Sequence, residues 1–179
     1  MNNKHKKMSL LIIFLLFVSL GLTVTTVFAD EPFAPKINLP KKLENRDMWE
    51  NMVKNWVVPS KDEVGIPAYP GSIIVALKEK SWMEANGVKM DTLPAITLAT
   101  SDEMAKVTAF YKEKLADWKY KNSYDMFDIF WTGKDDFNNM DITEAATIPN
   151  LSIMEAMSAQ TDFMPDAKTA ITIVYKSMK

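Results

Sequence analysis

The order of extended and helical patterns along the chain constrains its fold more than any other feature. Only one long helical pattern, at 101–117, interrupts a series of short segments with the period of two that is typical of β-strands. Parallel strands need a crossover, usually a helix, so this order predicts an α+β fold. We expect a mainly antiparallel sheet of about five strands with one packed central helix. The strand-like segments are 73–78, 94–99, 120–132, 151–154 and 168–175, and a short piece between 141 and 147 is a further candidate.

The segment 101–117 carries the signals of a helix that packs on a sheet. Thr100 and Glu103 have the spacing of a capping box, and Ser101 is a competing cap. Apolar residues then recur along one face, which is expected to cover one side of the sheet. The residues on that face are Met104, Val107, Tyr111 and Leu115, with Phe110 beside them.

The N-terminal part of the mature chain predicts an extended lead-in followed by a helical arm. Three prolines favour extended backbone at 30–42, and a helical pattern then covers 43–57. Because 124–130 is apolar on both sides, a second sheet face needs a cover, and we expect this arm to supply it. Burial of Trp49 and Trp56 would contribute on the order of 2–3 kcal/mol each. The alternatives are a partner-binding arm and an uncovered second face that serves as a ligand or partner surface. The apolar stripe of the arm consists of Trp49, Met52, Val53 and Trp56.

Two short motifs predict tight turns. Pro70 and Gly71 suit the central positions of a type II turn, in which only glycine takes a positive φ without strain. Asn86-Gly87 is a strong hairpin signal.

Residues 1–29 have the three parts of an export signal. A lysine-rich start precedes an apolar core from Leu10 to Val18, and the segment ends in Val27-Phe28-Ala29. We expect cleavage after Ala29, no membrane span in the mature protein, and a periplasmic or secreted location in a bacterium; an uncleaved N-terminal anchor is the alternative. The predicted organisation is a signal peptide at 1–29, a lead-in and arm helix at 30–60, and a single α+β domain at 61–179.

The residue inventory excludes several classes of chemistry. The chain has no cysteine, and its only histidine, His5, lies in the signal. Cysteine nucleophiles, Ser-His-Asp triads and His or Cys zinc sites are therefore excluded in the mature protein. The signal holds three lysines and no acid, which leaves 18 basic and 23 acidic residues and a net charge of −5. With Arg46 as the one arginine, this balance argues against nucleic-acid binding. We expect no cofactor, no metal site and no catalytic residue; 135–141 is interpreted as a polar turn.

The turn and helix motifs together resemble a group of uncharacterised exported bacterial α+β proteins. These have a Tyr-Pro-Gly turn before a hairpin and a helix capped by Thr-Ser-Asp that ends in Phe-Tyr-x-x-x-Leu. Here the motifs are Tyr69-Pro70-Gly71, Thr100-Ser101-Asp102 and Phe110 to Leu115, followed by Trp118. The resemblance covers about 67–175. It implies a fold and an envelope location, and it brings no activity.

The leading functional hypothesis is a non-enzymatic binding or accessory protein of the cell envelope, with an unknown envelope protein or small ligand as its partner. A carboxylate-based envelope hydrolase is one alternative, and it requires two acids in a cleft, one with a raised pKa. A methionine-based copper carrier is the other, and it requires three converging thioethers. The candidate ligand or partner surface consists of Trp82, Tyr124, Met126 and Phe130.

Overall fold

The α+β fold and the mainly antiparallel sheet are confirmed. The structure, a computed structural model, describes residues 30–85, 87–123, 126–132 and 146–177. Its main sheet has six strands in the order β1-β4-β8-β7-β6-β5, and every neighbouring pair is antiparallel. The strands are β1 (Ile73–Lys78), β2 (Ser81–Ala85), β3 (Val88–Thr92), β4 (Ala95–Thr100), β5 (Lys119–Ser123), β6 (Phe127–Trp131), β7 (Asn150–Glu155) and β8 (Thr169–Val174). The helices are α1 (Arg46–Lys54), α2 (Lys61–Val64), α3 (Met104–Lys114) and α4 (Ser158–Thr161).

The main core lies between α3 and one face of the sheet. Ile171 of the inner strand β8 pairs with Leu98 on one side and Ile153 on the other, and all three are fully buried. Val107 and Tyr111 of α3 pack over this face and are also fully buried. The apolar face expected at 101–117 is therefore the one that covers the sheet.

Helix α3 begins one turn later than the capping-box spacing predicts. Its N-cap residue is Glu103, and that side chain makes no cap hydrogen bond. The Thr100 Oγ1 instead accepts from the backbone N–H of Asp102 at 3.3 Å. The predicted Thr100/Glu103 capping box is wrong because Thr100 is the last residue of β4, with its backbone paired to Thr169.

The segment 120–132 forms two strands, where the period-two pattern predicts one. Strands β5 and β6 pair antiparallel, so that Ser123 lies opposite Phe127, and the N–H of Met126 donates to the carbonyl of Ser123 at 3.0 Å. The alternation of side chains continues on both sides of this tight connection, which is why the pattern alone does not show the reversal. Of the short strand expected between 141 and 147, residues 141–145 lie outside the described part of the chain.

The Asn86-Gly87 signal falls in a ribbon that is separate from the main sheet. Strands β2 and β3 pair only with each other, and Gly87 takes the positive φ of 75° that the turn requires. The ribbon joins the end of β1 to the start of β4, and these two strands are themselves neighbours in the main sheet.

The lead-in to α1 is integrated into the sheet. The N–H of Ile37 donates to the carbonyl of Ile74 at 3.0 Å, and the N–H of Ile74 donates to the carbonyl of Pro35 at 2.8 Å. Phe33 is 1% exposed in the main core. On the second face of the sheet, Trp49 of α1 packs on a smaller cluster and meets the ring of Phe163 edge-on, with centroids 4.9 Å apart. The buried members of that cluster are Ile37, Leu39, Val75, Ala99 and Ala167.

Candidate functional site

The structure does not bring the predicted surface residues together. Trp82 is 57% exposed on the ribbon, and Met126 is 69% exposed beside the β5–β6 connection, which belongs to the opposite edge of the sheet. Phe130 is only 1% exposed, because its side chain faces α3 and packs with Tyr111 and Tyr120. Phe130 is therefore a core residue and the prediction for it is wrong. Tyr124 lies outside the described residues.

A groove at one end of the sheet is a concave site formed by described residues. Its volume is about 840 Å³, within the range of roughly 300–1,000 Å³ typical of small-molecule sites. Five chain segments form its walls: the end of α1 with the residues after it, helix α2, the end of β1 with the residues after it, the start of β4 with the residues before it, and the chain after β8. The residues that line it are Met52, Asn55, Trp56, Val57, Pro59, Glu63, Leu77, Lys78, Glu79, Lys80, Leu93, Pro94, Ala95, Tyr175, Lys176 and Ser177. We call it the end groove.

The end groove has a mainly apolar lining, part of which has no packing role. Trp56 and Leu77 are half-buried against the main core, and Tyr175 is 5% exposed. Met52 is 41% exposed and Val57 is 82% exposed, although both are large apolar residues. The sequence places Met52 on the apolar stripe of α1 that is expected to be buried. In the structure this side chain is exposed instead. Exposed apolar side chains gathered around one concavity are typical of a binding surface.

Charged groups surround this apolar lining, and some are already engaged. Lys80 pairs with Asp91 at 3.2 Å, and Glu63 Oε1 accepts a hydrogen bond from Ser177 Oγ at 3.2 Å. Burial, and then the nearby Glu63 carboxylate, raise the pKa of the Tyr175 hydroxyl, so this group stays protonated as a possible donor at neutral pH.

The remaining charged groups of the rim are two lysines and one glutamate. Lys78, Glu79 and Lys176 are exposed and make no ion pair or side-chain hydrogen bond within the described ranges.

A second hollow, of about 710 Å³, lies around the Tyr-Pro-Gly turn. The turn itself is closed by the N–H of Ser72, which donates to the carbonyl of Tyr69 at 3.1 Å, with Gly71 at φ 75° as predicted. The large apolar residues beneath this hollow, Phe33 and Tyr69, are buried in the main core. Because these side chains already pack in the core, the end groove is the better candidate site.

The two motifs that carry the family resemblance meet in space. Tyr69 Oη donates to Asp102 Oδ2 at 2.7 Å, and Lys106 Nζ contacts the same carboxylate oxygen at 2.9 Å. These two hydrogen bonds hold the pKa of Asp102 below its ordinary value, and the one from Tyr69 has the larger effect. Burial raises the pKa of Tyr69 to about 12, and the hydrogen bond to Asp102 is the second cause of this increase. The pair connects the turn before β1 to the start of α3, which is a structural role.

Asp128 is a buried carboxylate on the α3 side of β6. It is 4% exposed and accepts hydrogen bonds from Thr108 Oγ1, from Tyr120 Oη at 2.6 Å and from Asn122 Nδ2 at 3.0 Å. Three donors from two elements satisfy most of its acceptor capacity. This arrangement fixes β5, β6 and α3 together.

The criteria of the two alternative functions can be compared with these groups. Hydrogen bonds from Tyr69 and Lys106 hold the pKa of Asp102 below its ordinary value, and a hydrogen bond from Lys114 does the same for Glu113. The hydrolase hypothesis requires a carboxyl with a raised pKa. The structure contains, in the part of the chain it describes, no group of three His, Cys, Asp or Glu side chains suited to a metal ion. Within the described ranges, the exposed methionines are Met48 and Met52 on α1, Met126 in the β5–β6 connection and Met157 before α4.

Two residues of the end groove, Met52 and Trp56, belong to the apolar stripe that the sequence predicts for the arm, but no motif links them to the other walls. Its walls come from positions as far apart as Met52 and Ser177. None of the described helices is both long and apolar enough to span a bilayer. Comparisons with protein-family models, with curated proteins and with solved structures give no match for this chain.

Proposed function

We propose that this chain is a non-enzymatic binding protein of the bacterial cell envelope, and that it takes a small, largely apolar molecule in the end groove. The observation that carries the proposal is the exposure of Met52 and Val57 beside a concavity of about 840 Å³. Exposed apolar surface of this kind gains free energy when a ligand removes it from water. The absence of histidine and cysteine after residue 29 supports a binding role over catalysis.

The envelope location is part of the proposal and is supported by the signal pattern of 1–29. Expression of the full chain in a bacterial host, followed by fractionation and intact-mass measurement, tests it. The expected product is an exported protein that begins at Asp30. A product of full mass in the membrane fraction would support the anchor alternative instead.

The N-terminal arm is the third part of the proposal. We propose that 30–60 acts as an arm whose helix α1 forms one wall of the end groove. Met52 of α1 lies on that wall, as do Asn55 and Trp56 directly after the helix. Trp49 packs the helix against Phe163. The sheet ends at β1 and β4 supply the opposite wall.

Thermal unfolding of the exported protein against a panel of fatty acids, detergents below their critical micelle concentration, sterol-like molecules and cell-wall sugars tests the binding role. A ligand at 100 times its Kd stabilises the folded state by about 2.7 kcal/mol, which raises the Tm of a chain of this size by several degrees. We expect at least one apolar compound to do so. Met52→Asp should remove the shift, since it places a charge on the groove wall.

Met48→Asp is the matched control, because Met48 is 56% exposed on the same helix but does not line the groove. The control variant should keep the full ligand shift. Equal loss of the shift in both variants would place the site elsewhere, and a flat panel with the wild-type protein would overturn the small-molecule proposal in favour of a protein partner.

A further inference from the structure

The end groove contains a hydrogen-bond donor and an acceptor that lie close together on an otherwise apolar surface. We infer that its ligand is an uncharged amphiphile with a hydroxyl head group, whose oxygen accepts a hydrogen bond from Tyr175 and whose O–H donates to Glu63. This inference rests on the binding role proposed above. A simple alcohol with an alkyl tail is the smallest member of this class.

The Tyr175 side chain combines deep burial with a polar group that has no partner. The residue is 5% exposed in the main core, and its hydroxyl makes no hydrogen bond with any described residue. Among the side chains that the structure describes, the one nitrogen or oxygen that lacks both solvent contact and a hydrogen bond is Arg46 Nε. The Tyr175 hydroxyl therefore reaches solvent, and the groove that Tyr175 lines is the opening through which it does so.

Glu63 supplies an acceptor next to this donor. Its Oε1 accepts one hydrogen bond, from Ser177 Oγ at 3.2 Å, and a carboxylate has about four acceptor positions. Burial raises the pKa of the Tyr175 hydroxyl, and the charge of the Glu63 carboxylate raises it further, so the two groups lie close together. A ligand hydroxyl between them can accept from the tyrosine and donate to the carboxylate at the same time.

The charges of the groove favour a ligand without a net charge. Lys80 pairs with Asp91 on the ribbon, and the other charged residues of the lining are two lysines and two glutamates, which sum to zero. A charged head group would lose water here without a net opposite charge to offset that loss. A hydroxyl needs only the donor and the acceptor described above. The four residues that sum to zero are Lys78, Lys176, Glu63 and Glu79.

Apolar side chains provide a surface for the tail of the ligand beside these polar groups. Trp56 and Leu77 pack against the same core cluster as Tyr175 and line the groove. Met52 and Val57 continue this lining with exposed apolar surface. Burial of the tail thus provides the main gain in free energy, and the hydroxyl orients the molecule.

Calorimetric titration of the exported protein with four eight-carbon probes tests the inference. 1-Octanol and 1-methoxyheptane are isomers, but the ether has no O–H donor; octanoate and octylamine carry opposite charges. We expect 1-octanol to bind with one molecule per chain and about tenfold more tightly than the ether, because the ether makes no hydrogen bond to the carboxylate. Both charged probes should bind more weakly than 1-octanol.

Removal of the acceptor should affect one isomer only. Glu63→Ala should weaken the binding of 1-octanol about tenfold and leave the binding of the ether unchanged. Asp62→Ala is the matched control, because Asp62 is an exposed acid on the same helix α2 that does not line the end groove. This control should keep both affinities.

Removal of the donor should affect both isomers. Tyr175→Phe keeps the ring and should weaken 1-octanol and the ether about fivefold each, because both ligand oxygens accept from the tyrosine. Tyr120→Phe is the matched control, since Tyr120 belongs to β5 at the opposite edge of the sheet from β1. Thermal unfolding of each variant without ligand checks that it is folded.

Each outcome separates the inference from the proposed function. Equal affinity for the two isomers, or tighter binding of octanoate or octylamine than of 1-octanol, would overturn the hydroxyl head group and leave the groove as an apolar binding site. Equal weakening of 1-octanol by Glu63→Ala and Asp62→Ala would overturn the role of Glu63. Failure of all four probes, while another panel compound still loses its shift in Met52→Asp, would overturn the inference and retain the proposed function.

Discussion

The hydroxyl of Tyr69 donates a hydrogen bond of 2.7 Å to the carboxylate of Asp102, thirty-three residues along the chain. One residue belongs to the turn that begins β1, and the other precedes α3. Tyr69 is also packed edge-on against Phe110 of that helix, with ring centroids 5.2 Å apart. The contact explains why the Tyr-Pro-Gly and Thr-Ser-Asp motifs occur together in one sequence: they are the two sides of one junction.

Tyr69→Phe should lower the free energy of unfolding by about 1.5 kcal/mol, because it removes a hydrogen bond to a charged group while keeping the ring. Urea unfolding followed by tryptophan fluorescence measures the change. Lys106→Gln, which removes the exposed ion pair to the same carboxylate, should have a smaller effect. A larger loss in Lys106→Gln than in Tyr69→Phe would contradict the assigned role of the tyrosine.

Acid should remove the contribution of the Asp102 carboxylate to the stability of the folded state. The hydrogen bonds from Tyr69 and Lys106 depress its folded-state pKa, so the stabilisation is present above the unfolded-state pKa near 4 and is lost as the pH falls through the folded value. We expect the stability difference between wild type and Asp102→Asn to narrow between pH 6 and pH 2 in urea titrations. Asp117→Asn, at an exposed position, is the control; a difference for Asp102→Asn that stayed constant with pH would argue against the linkage.

Alkali should act through the tyrosines. Burial, with an aspartate hydrogen bond second, raises the pKa of Tyr69 and of Tyr120 to about 12. Their hydroxyls ionise near pH 10 in the unfolded chain, so their contribution to stability is complete below pH 10 and is lost between there and about pH 12. Tyrosinate absorbance at pH 11 should therefore be lower in the folded protein than in urea. Equal tyrosinate absorbance in the folded and unfolded states would contradict the raised pKa values of Tyr69 and Tyr120.

Asp128→Asn should destabilise the protein by about 2 kcal/mol, because an amide donor replaces an acceptor that three donors face in a buried site. Equilibrium unfolding in urea is the measurement. Tyr120→Phe removes only one of those donors, and the Tyr120 side chain is 37% exposed. This variant should therefore lower the free energy of unfolding by less than Asp128→Asn does. If Asp128→Asn unfolded at the wild-type midpoint, the hydrogen bonds of this carboxylate would contribute no net stability.

Local signals predict the local parts of this fold. The bounds of β1 agree with the predicted strand 73–78, and Gly71 and Gly87 take the positive φ that their turns require. Helix α3 lies within the predicted 101–117. In each case the local structure of a few residues follows either from the spacing of apolar side chains or from the ability of one glycine to take a positive φ.

Features that depend on distant contacts are not visible in the sequence. Phe130 and Ile129 are both apolar and both buried, so the pattern of β6 does not show which face an exposed site would use. The end groove joins α1, whose apolar stripe the sequence predicts, to the chain after β8, which carries no motif. Which residues join that stripe in the lining is set by tertiary packing, and the sequence alone does not show it.

The position of the β2–β3 ribbon has a consequence for how this protein can change over time. Lys78 and Ala95, which flank the ribbon, are already paired across β1 and β4. The ribbon is thus an insertion into a hairpin that closes without it, so the sheet order does not depend on the ribbon's length. Selection can act on Trp82 at its surface independently of the residues that fold the chain.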